Sequence, residues 1–420
     1  MNPVSILPVL PIILLVLSAV TIFGRLLGIP VQKGRYISID GLRGYLAIFV
    51  FLHHSSVWFF LLHYGQWAFP PSHLYNHFGP TSVAMFFMIT SFLFFTKLLQ
   101  VKNGSLDWVR LYTSRVLRIM PLYLFALMLL FLIVAVLSQW KWNEPVSKIL
   151  GEAFGWILFM EPDINLITGT KLIVAGVVWS LAFEWIFYFS LPIWGFFLFN
   201  IKVPTYVLIF SALGITVFLM IILDFYPFLI LPRMSPFLTG MLAAFLSENG
   251  KIKLLAKSIY TSFVMVFLLV LSVIFYDSAF TVVPFICISI IFFAIACGNT
   301  LFGIFSHPAS CLLGQVSYSI YLLHGILLFA TFRFVLGFPF MINQPVVVYW
   351  TIIAGISLLL IVCCTFTFLL IEHPAITATP MATAMLRRFW QKTKRIFQKE
   401  ALPSTDPQVS IEYRDQSTGS

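Results

Sequence analysis

Charge is scarce in this chain of 420 residues: Asp, Glu, Lys and Arg make up 10% of it, against 60% hydrophobic residues and a mean hydropathy of +0.99. A water-soluble domain has nowhere to hide that much apolar surface, which excludes a cytosolic enzyme, a secreted disulfide scaffold and a disordered chain. Cysteine is also sparse. The five are odd in number and show no CxxC spacing. Cys287, Cys297, Cys363 and Cys364 fall inside or at the ends of apolar runs and read as small hydrophobes, while Cys311 is expected in a polar connection on the cytoplasmic side. Metal-ligand spacing is missing too: His63, His73 and His77 lie in one stretch with no carboxylate or cysteine beside them in a ligand pattern, so no metal site is expected. Basic residues exceed acidic ones by ten, which in a soluble protein would point to nucleic acid and in a membrane chain bears first on topology.

What the chain has in abundance is long apolar sequence. Eleven runs, at about 3–24, 42–62, 81–99, 117–137, 174–199, 204–223, 228–247, 258–276, 279–297, 314–334 and 346–371, approach or reach the length that crosses a bilayer. The expected fold class is an all-α polytopic membrane protein of about eleven transmembrane helices. With the amino terminus outside, twenty Lys and Arg fall on the cytoplasmic side and five on or near the other, a bias that fixes an odd number of spans and a cytoplasmic carboxyl terminus. The first run lacks a preceding basic residue and an A-x-A site, so it reads as a retained helix rather than a signal peptide. Residues 375–402, including RRFWQKTKRIFQK, read as a basic amphipathic helix on the anionic inner leaflet rather than a nucleic-acid binder, and residues 403–420 as a disordered tail.

Ionisable groups at membrane depth are expensive and therefore informative. Arg43 and His54 are eleven residues apart in one run, which on an α-helix is about three turns plus about 20°, so both share a face about 16 Å apart, whereas His53 points about 80° away. That layout suits an elongated ligand gripped at a charged end; a snorkelling arginine and a histidine bonded to a neighbouring helix would give the same pattern. Ser180, Glu184 and Tyr188 recur at i, i+4 and i+8, so the carboxyl must meet a donor or cation from another helix or serve as a polar clamp between helices. Ser317, Tyr321 and His324 share a face at i, i+4 and i+7. Arg115 and Arg118, followed by Pro121, form a basic patch that can bind phosphates or anchor the helix.

Taken together these motifs resemble the integral-membrane acyltransferase 3 family, over about 36–374. Asp40-Gly41-Leu42-Arg43-Gly44 with His54 resembles its opening block. Phe86-Phe87-Met88-Ile89-Thr90-Ser91-Phe92 resembles its Phe-Phe-x-x-Ser-Gly-Phe segment. Arg115-x-x-Arg118-x-x-Pro121, Trp179-Ser180-Leu181 through Glu184 and Tyr188, Gly314 through Ser317, Tyr321 and His324, and Glu372-x-Pro374 follow in the family's order. The departures are Thr90-Ser91 for Ser-Gly, Ala84 where many members carry Asp, and His373 for Arg in the closing motif. The run within residues 1–30 is extra to the family's ten-helix core.

The resemblance implies transfer of an acyl group, normally acetyl, from cytoplasmic acetyl-CoA to a hydroxyl of a cell-surface carbohydrate or glycolipid, by an enzyme of the inner or plasma membrane. Arg43, Arg115 and Arg118 would hold the donor's phosphates. His54 would act as base or carry the acyl group itself, with Glu184 orienting it. Asp40, Trp179, Ser180, Tyr188, Ser317, Tyr321 and His324 would bind substrate or support the site. A transporter or flippase is the competing reading, since polar groups on facing helices also line substrate paths; the two halves show no internal repeat.

Overall fold

Ten of the eleven apolar runs become helices in the computed structural model, which describes residues 2–31, 34–101, 106–200, 204, 206, 207, 209–214 and 230–400. The run at 204–223, the basic residues Lys33, Lys102, Lys202 and Arg414, and the tail from 401 onward lie wholly or largely outside the described residues. We label the helices α1 (Val9–Leu26), α2 (Ile37–Tyr64), α3 (His73–Phe78), α4 (Pro80–Gln100), α5 (Trp108–Leu137), α6 (Val146–Ile157), α7 (Trp179–Asn200), α8 (Ile230–Leu246), α9 (Gly250–Ala256), α10 (Ile259–Phe275), α11 (Val282–Ala296), α12 (Pro308–Gln315), α13 (Ser317–Ala330), α14 (Phe338–Ile342), α15 (Val346–Thr367), α16 (His373–Thr377) and α17 (Thr379–Glu400). Among the described residues seven helical stretches are long and apolar enough to cross a membrane, and an eighth counts if α9 and α10, bent by 68° at their break, form one span. No strand occurs among the described residues beyond an isolated bridge between Ile164 and Ile167.

Helix starts follow local chemistry. The Ser72 hydroxyl accepts from the Tyr75 amide at 3.4 Å, and Asp107 Oδ1 accepts from the Arg110 amide at 3.0 Å, each filling a donor that the first helical turn leaves open. The Arg110 amide, and then the Arg387 guanidinium of α17, hold the Asp107 carboxyl below the ordinary carboxylate range. The same Arg387–Asp107 ion pair pins α17 beside the start of α5. One side of α17 exposes Met385, Phe389 and Trp390 among basic residues.

Two contacts demand glycine because the helices meet backbone to backbone. A Cβ on Gly41 of α2 would fall on the Phe305 carbonyl oxygen, and one on Gly314 of α12 on the Asp40 carbonyl oxygen. In the same way a Cβ on Gly240 of α8 would strike Met88 O and Ser91 Oγ of α4. Ser91 stands where the resembled motif has glycine, and the small residue on the opposing helix leaves the space that its hydroxymethyl needs.

The helix outside the resembled domain is bolted to the bundle. Ile12, Val16 and Val20 of α1 are buried, and α1 packs on α12 and α15. The Trp350 indole donates to Pro3 O at 3.1 Å and the Tyr75 hydroxyl to Ser5 O at 2.9 Å. No disulfide joins the cysteines. Cys311 lies buried in α12 rather than in a polar connection. His73 does find a carboxylate, at 2.9 Å from Asp277, because the loop after α10 folds back onto α3. Among the described residues no three His, Cys, Asp or Glu gather as a metal-holding group.

Candidate active site

Arg43 rises from the second turn of α2, and Arg115 and Arg118 from the second and third turns of α5. All three line one cavity of about 320 Å³ between α2, α4, α5, α7 and α13. Ser180, Glu184 and Tyr188 enter it from α7, Ser317 and Tyr321 from α13, and Ile376 and Thr379 stand at its edge where α16 passes into α17. The i, i+4, i+8 and i, i+4 spacings deliver these groups to one wall each, as helix periodicity requires. The start of α7 is held by Glu161, whose Oε1 accepts from the Val178 amide at 3.0 Å.

Electrostatically the cavity is two-sided. The Arg115 guanidinium lies 4.8 Å over the Phe94 ring, and its Nε is buried without a hydrogen-bond partner. The Arg43 guanidinium makes no hydrogen bond among the described residues. Arg118 Nη1 sits 3.8 Å from Glu372 Oε2, and Glu372 Oε1 accepts from the Ser319 hydroxyl. Glu184 takes hydrogen bonds from the Thr90 hydroxyl at 3.2 Å and the Tyr188 hydroxyl at 3.0 Å. The Tyr321 and Ser180 hydroxyls meet at 2.7 Å across the α13–α7 junction.

Beyond Tyr321 lie the two histidines. Tyr321 and His324 rings are 6.3 Å apart, and His324 Nε2 is 3.0 Å from His54 Nδ1. The His54 ring is flanked by Trp67 at 6.0 Å and His324 at 5.0 Å, both nearly parallel to it. His53 is turned to the Tyr75 carbonyl at 2.8 Å, in keeping with its different face of α2.

The expected contact between Glu184 and His54 is not made. Glu184 is engaged with Thr90 and Tyr188, and the only side chain hydrogen-bonded to His54 among the described residues is His324; α13 rather than α7 packs on the His54 turn of α2. His54 and His324, like Asp40 and Trp179, fall outside the lining of the cavity that holds Arg43. Asp40 accepts from the Gly34 amide at 3.1 Å, and Trp179 lies edge-on to Phe87 and Phe183 beneath the Arg233 guanidinium. Two groups escaped the sequence reading of the site, and a third, Glu372, stood in it only as part of the closing motif. Thr90 and Tyr318 line the cavity, and Glu372 pairs with Arg118. Glu372 carried the available signal, a carboxylate at the end of an apolar run.

A family model described as an acyltransferase domain matches residues 36–369. The chain belongs to the acyltransferase 3 family. It is therefore a membrane acyltransferase, which sets aside the transporter reading, and α1 precedes the matched region. No curated protein and no solved structure matches the chain. In this acyltransferase the family blocks noted in the sequence bring eight of their candidate residues, from four helices, to a single cavity.

Proposed function

We propose that this acyltransferase moves an acetyl group from cytoplasmic acetyl-CoA to a hydroxyl of a cell-surface carbohydrate or glycolipid, with His54 as the base. The observation that carries the reading is the Arg43 guanidinium, which makes no hydrogen bond among the described residues, together with the buried, unpartnered Arg115 Nε, in one cavity with Arg118. A buried donor without an acceptor costs free energy, so such a site favours an anion that supplies the missing oxygens, and the phosphates of coenzyme A do so. The excess of basic residues at this end of the bundle supports a cytoplasmic entrance.

Chemistry then follows from what a thioester needs. The acceptor oxygen bonds to the thioester carbonyl carbon while its proton passes to the imidazole of His54. The C–S bond breaks, and the coenzyme A thiolate leaves and takes up that proton. A neutral imidazole is the side chain best matched to this at neutral pH. Serine and tyrosine hydroxyls along α7 and α13 can direct the acyl arm from the arginines toward the histidines.

Membranes carrying the protein, incubated with acetyl-CoA labelled in the acetyl group, should pass label to their carbohydrate fraction. Failure to do so, with the protein folded, would overturn the reading. Arg43→Ala should raise the KM for acetyl-CoA by about tenfold, the loss of one charge-assisted contact, with kcat little changed; Arg43→Lys should recover part of it. A donor dependence identical to that of the parent would reduce Arg43 to an anchor.

A further inference from the structure

The His54 and His324 rings, next to Tyr321 but outside the cavity lining, form a hydrogen-bond chain whose proton positions can be deduced. His324 Nδ1 lies 3.1 Å from the carbonyl oxygen of Ile320, one turn earlier in α13. A carbonyl only accepts, so this nitrogen carries the hydrogen, and a neutral ring then presents Nε2 as a lone pair. That lone pair is 3.0 Å from His54 Nδ1. His54 Nδ1 in turn faces the Val50 carbonyl at 3.1 Å, so it too carries its hydrogen and shares it between Val50 O and His324 Nε2. One arrangement satisfies all three contacts. It leaves the lone pair of His54 on Nε2. No carboxylate hydrogen-bonds either ring among the described residues, and His324 is fully buried.

We infer that His324 is the positioning residue for His54: an imidazole takes the place that a carboxylate holds in a triad, fixing the tautomer of the base through His324 Nε2. This rests on the reading of His54 as the base. A ring locked with Nδ1–H inward keeps Nε2 free to receive the acceptor's proton. When that proton arrives, His54 becomes a cation and its Nδ1–H···Nε2 bond becomes charge-assisted, so the contact strengthens during the step that needs it. Trp67, nearly parallel to the ring at 6.0 Å, limits its tilting.

The two nitrogens of His324 do different work, and amide side chains separate them. Gln is long enough to set its oxygen near the position of Nε2, whereas Asn reaches only the position of Nδ1. In membranes given labelled acetyl-CoA and their own carbohydrate acceptor, His324→Ala should lower kcat by about 100-fold, with the KM for acetyl-CoA unchanged. His324→Gln should regain a large part of the loss and His324→Asn little. Thermal unfolding in detergent checks that each variant is folded, and the comparison of the two amides needs only that those two fold. Equal loss in all three would mark His324 as a packing residue and overturn the inference, as would parental activity in His324→Asn while His54→Ala is inactive. Activity in His54→Ala would instead remove the base reading, and the positioning role with it.

Discussion

Acyl transfer is expected to fall by about 10²- to 10⁴-fold when His54 is replaced by alanine, the range that a positioned proton acceptor contributes. The variant should still fold. His54 is only partly buried, its packing partners Trp67 and His324 have other contacts, and α2 continues unbroken from Ile37 to Tyr64 on both sides of it. The measurement is label transfer from acetyl-CoA at saturating donor, alongside a size-exclusion profile of the purified protein. Near-parental turnover in a monodisperse sample would take His54 out of the chemistry. Loss of turnover with an unchanged affinity for acetyl-CoA is the stronger form of the result, because the arginines that would grip the donor lie about three helical turns away.

The second large effect concerns stability and arises from an asymmetry in the Arg118–Glu372 pair. The Glu372 side chain is 0% exposed and that of Arg118 is 19% exposed. Taking away the cation strands a carboxylate that water cannot reach, and breaking a buried pair from one side costs about 3–5 kcal/mol. Arg118→Ala should therefore lower the unfolding temperature sharply in the absence of any donor. Glu372→Gln should do less harm, since the amide keeps an oxygen for the Ser319 hydroxyl and Arg118 reaches the cavity and its solvent. Combining the two substitutions should recover part of what Arg118→Ala loses. A melting temperature for Arg118→Ala equal to that of the parent would mean that the pair contributes no net stability.

What the sequence discloses here is whatever repeats along one helix. Separations of eleven residues from Arg43 to His54, four from Ser180 to Glu184 and four from Ser317 to Tyr321 each fix a face, and Arg43, Ser180, Glu184, Ser317 and Tyr321 all line the cavity. Contacts made across the fold were not legible. His54 meets His324 after 270 residues and Glu184 meets Thr90 after 94, separations on which periodicity is silent. His73 finds Asp277 for the same reason. Glu372 adds a local difficulty: the residues Phe368–Glu372 form a π-turn, whose wider winding shifts every following side chain around the axis relative to an ideal α-helix. An angle counted from Val346 at 100° per residue would misplace it. The family resemblance ran well along the chain because its blocks are local, and it said nothing of which blocks touch.

The glycine contact between α2 and α12 bears on how tightly a donor can be gripped. With Gly41 and Gly314 letting the two backbones interlock around Asp40 and Phe305, the turn that carries Arg43 has lost its mobility before any ligand arrives. A phosphate meeting that guanidinium would immobilise a few side-chain torsions instead of a loop. Affinity otherwise consumed by ordering the receptor is then left over for preorganisation of the thioester.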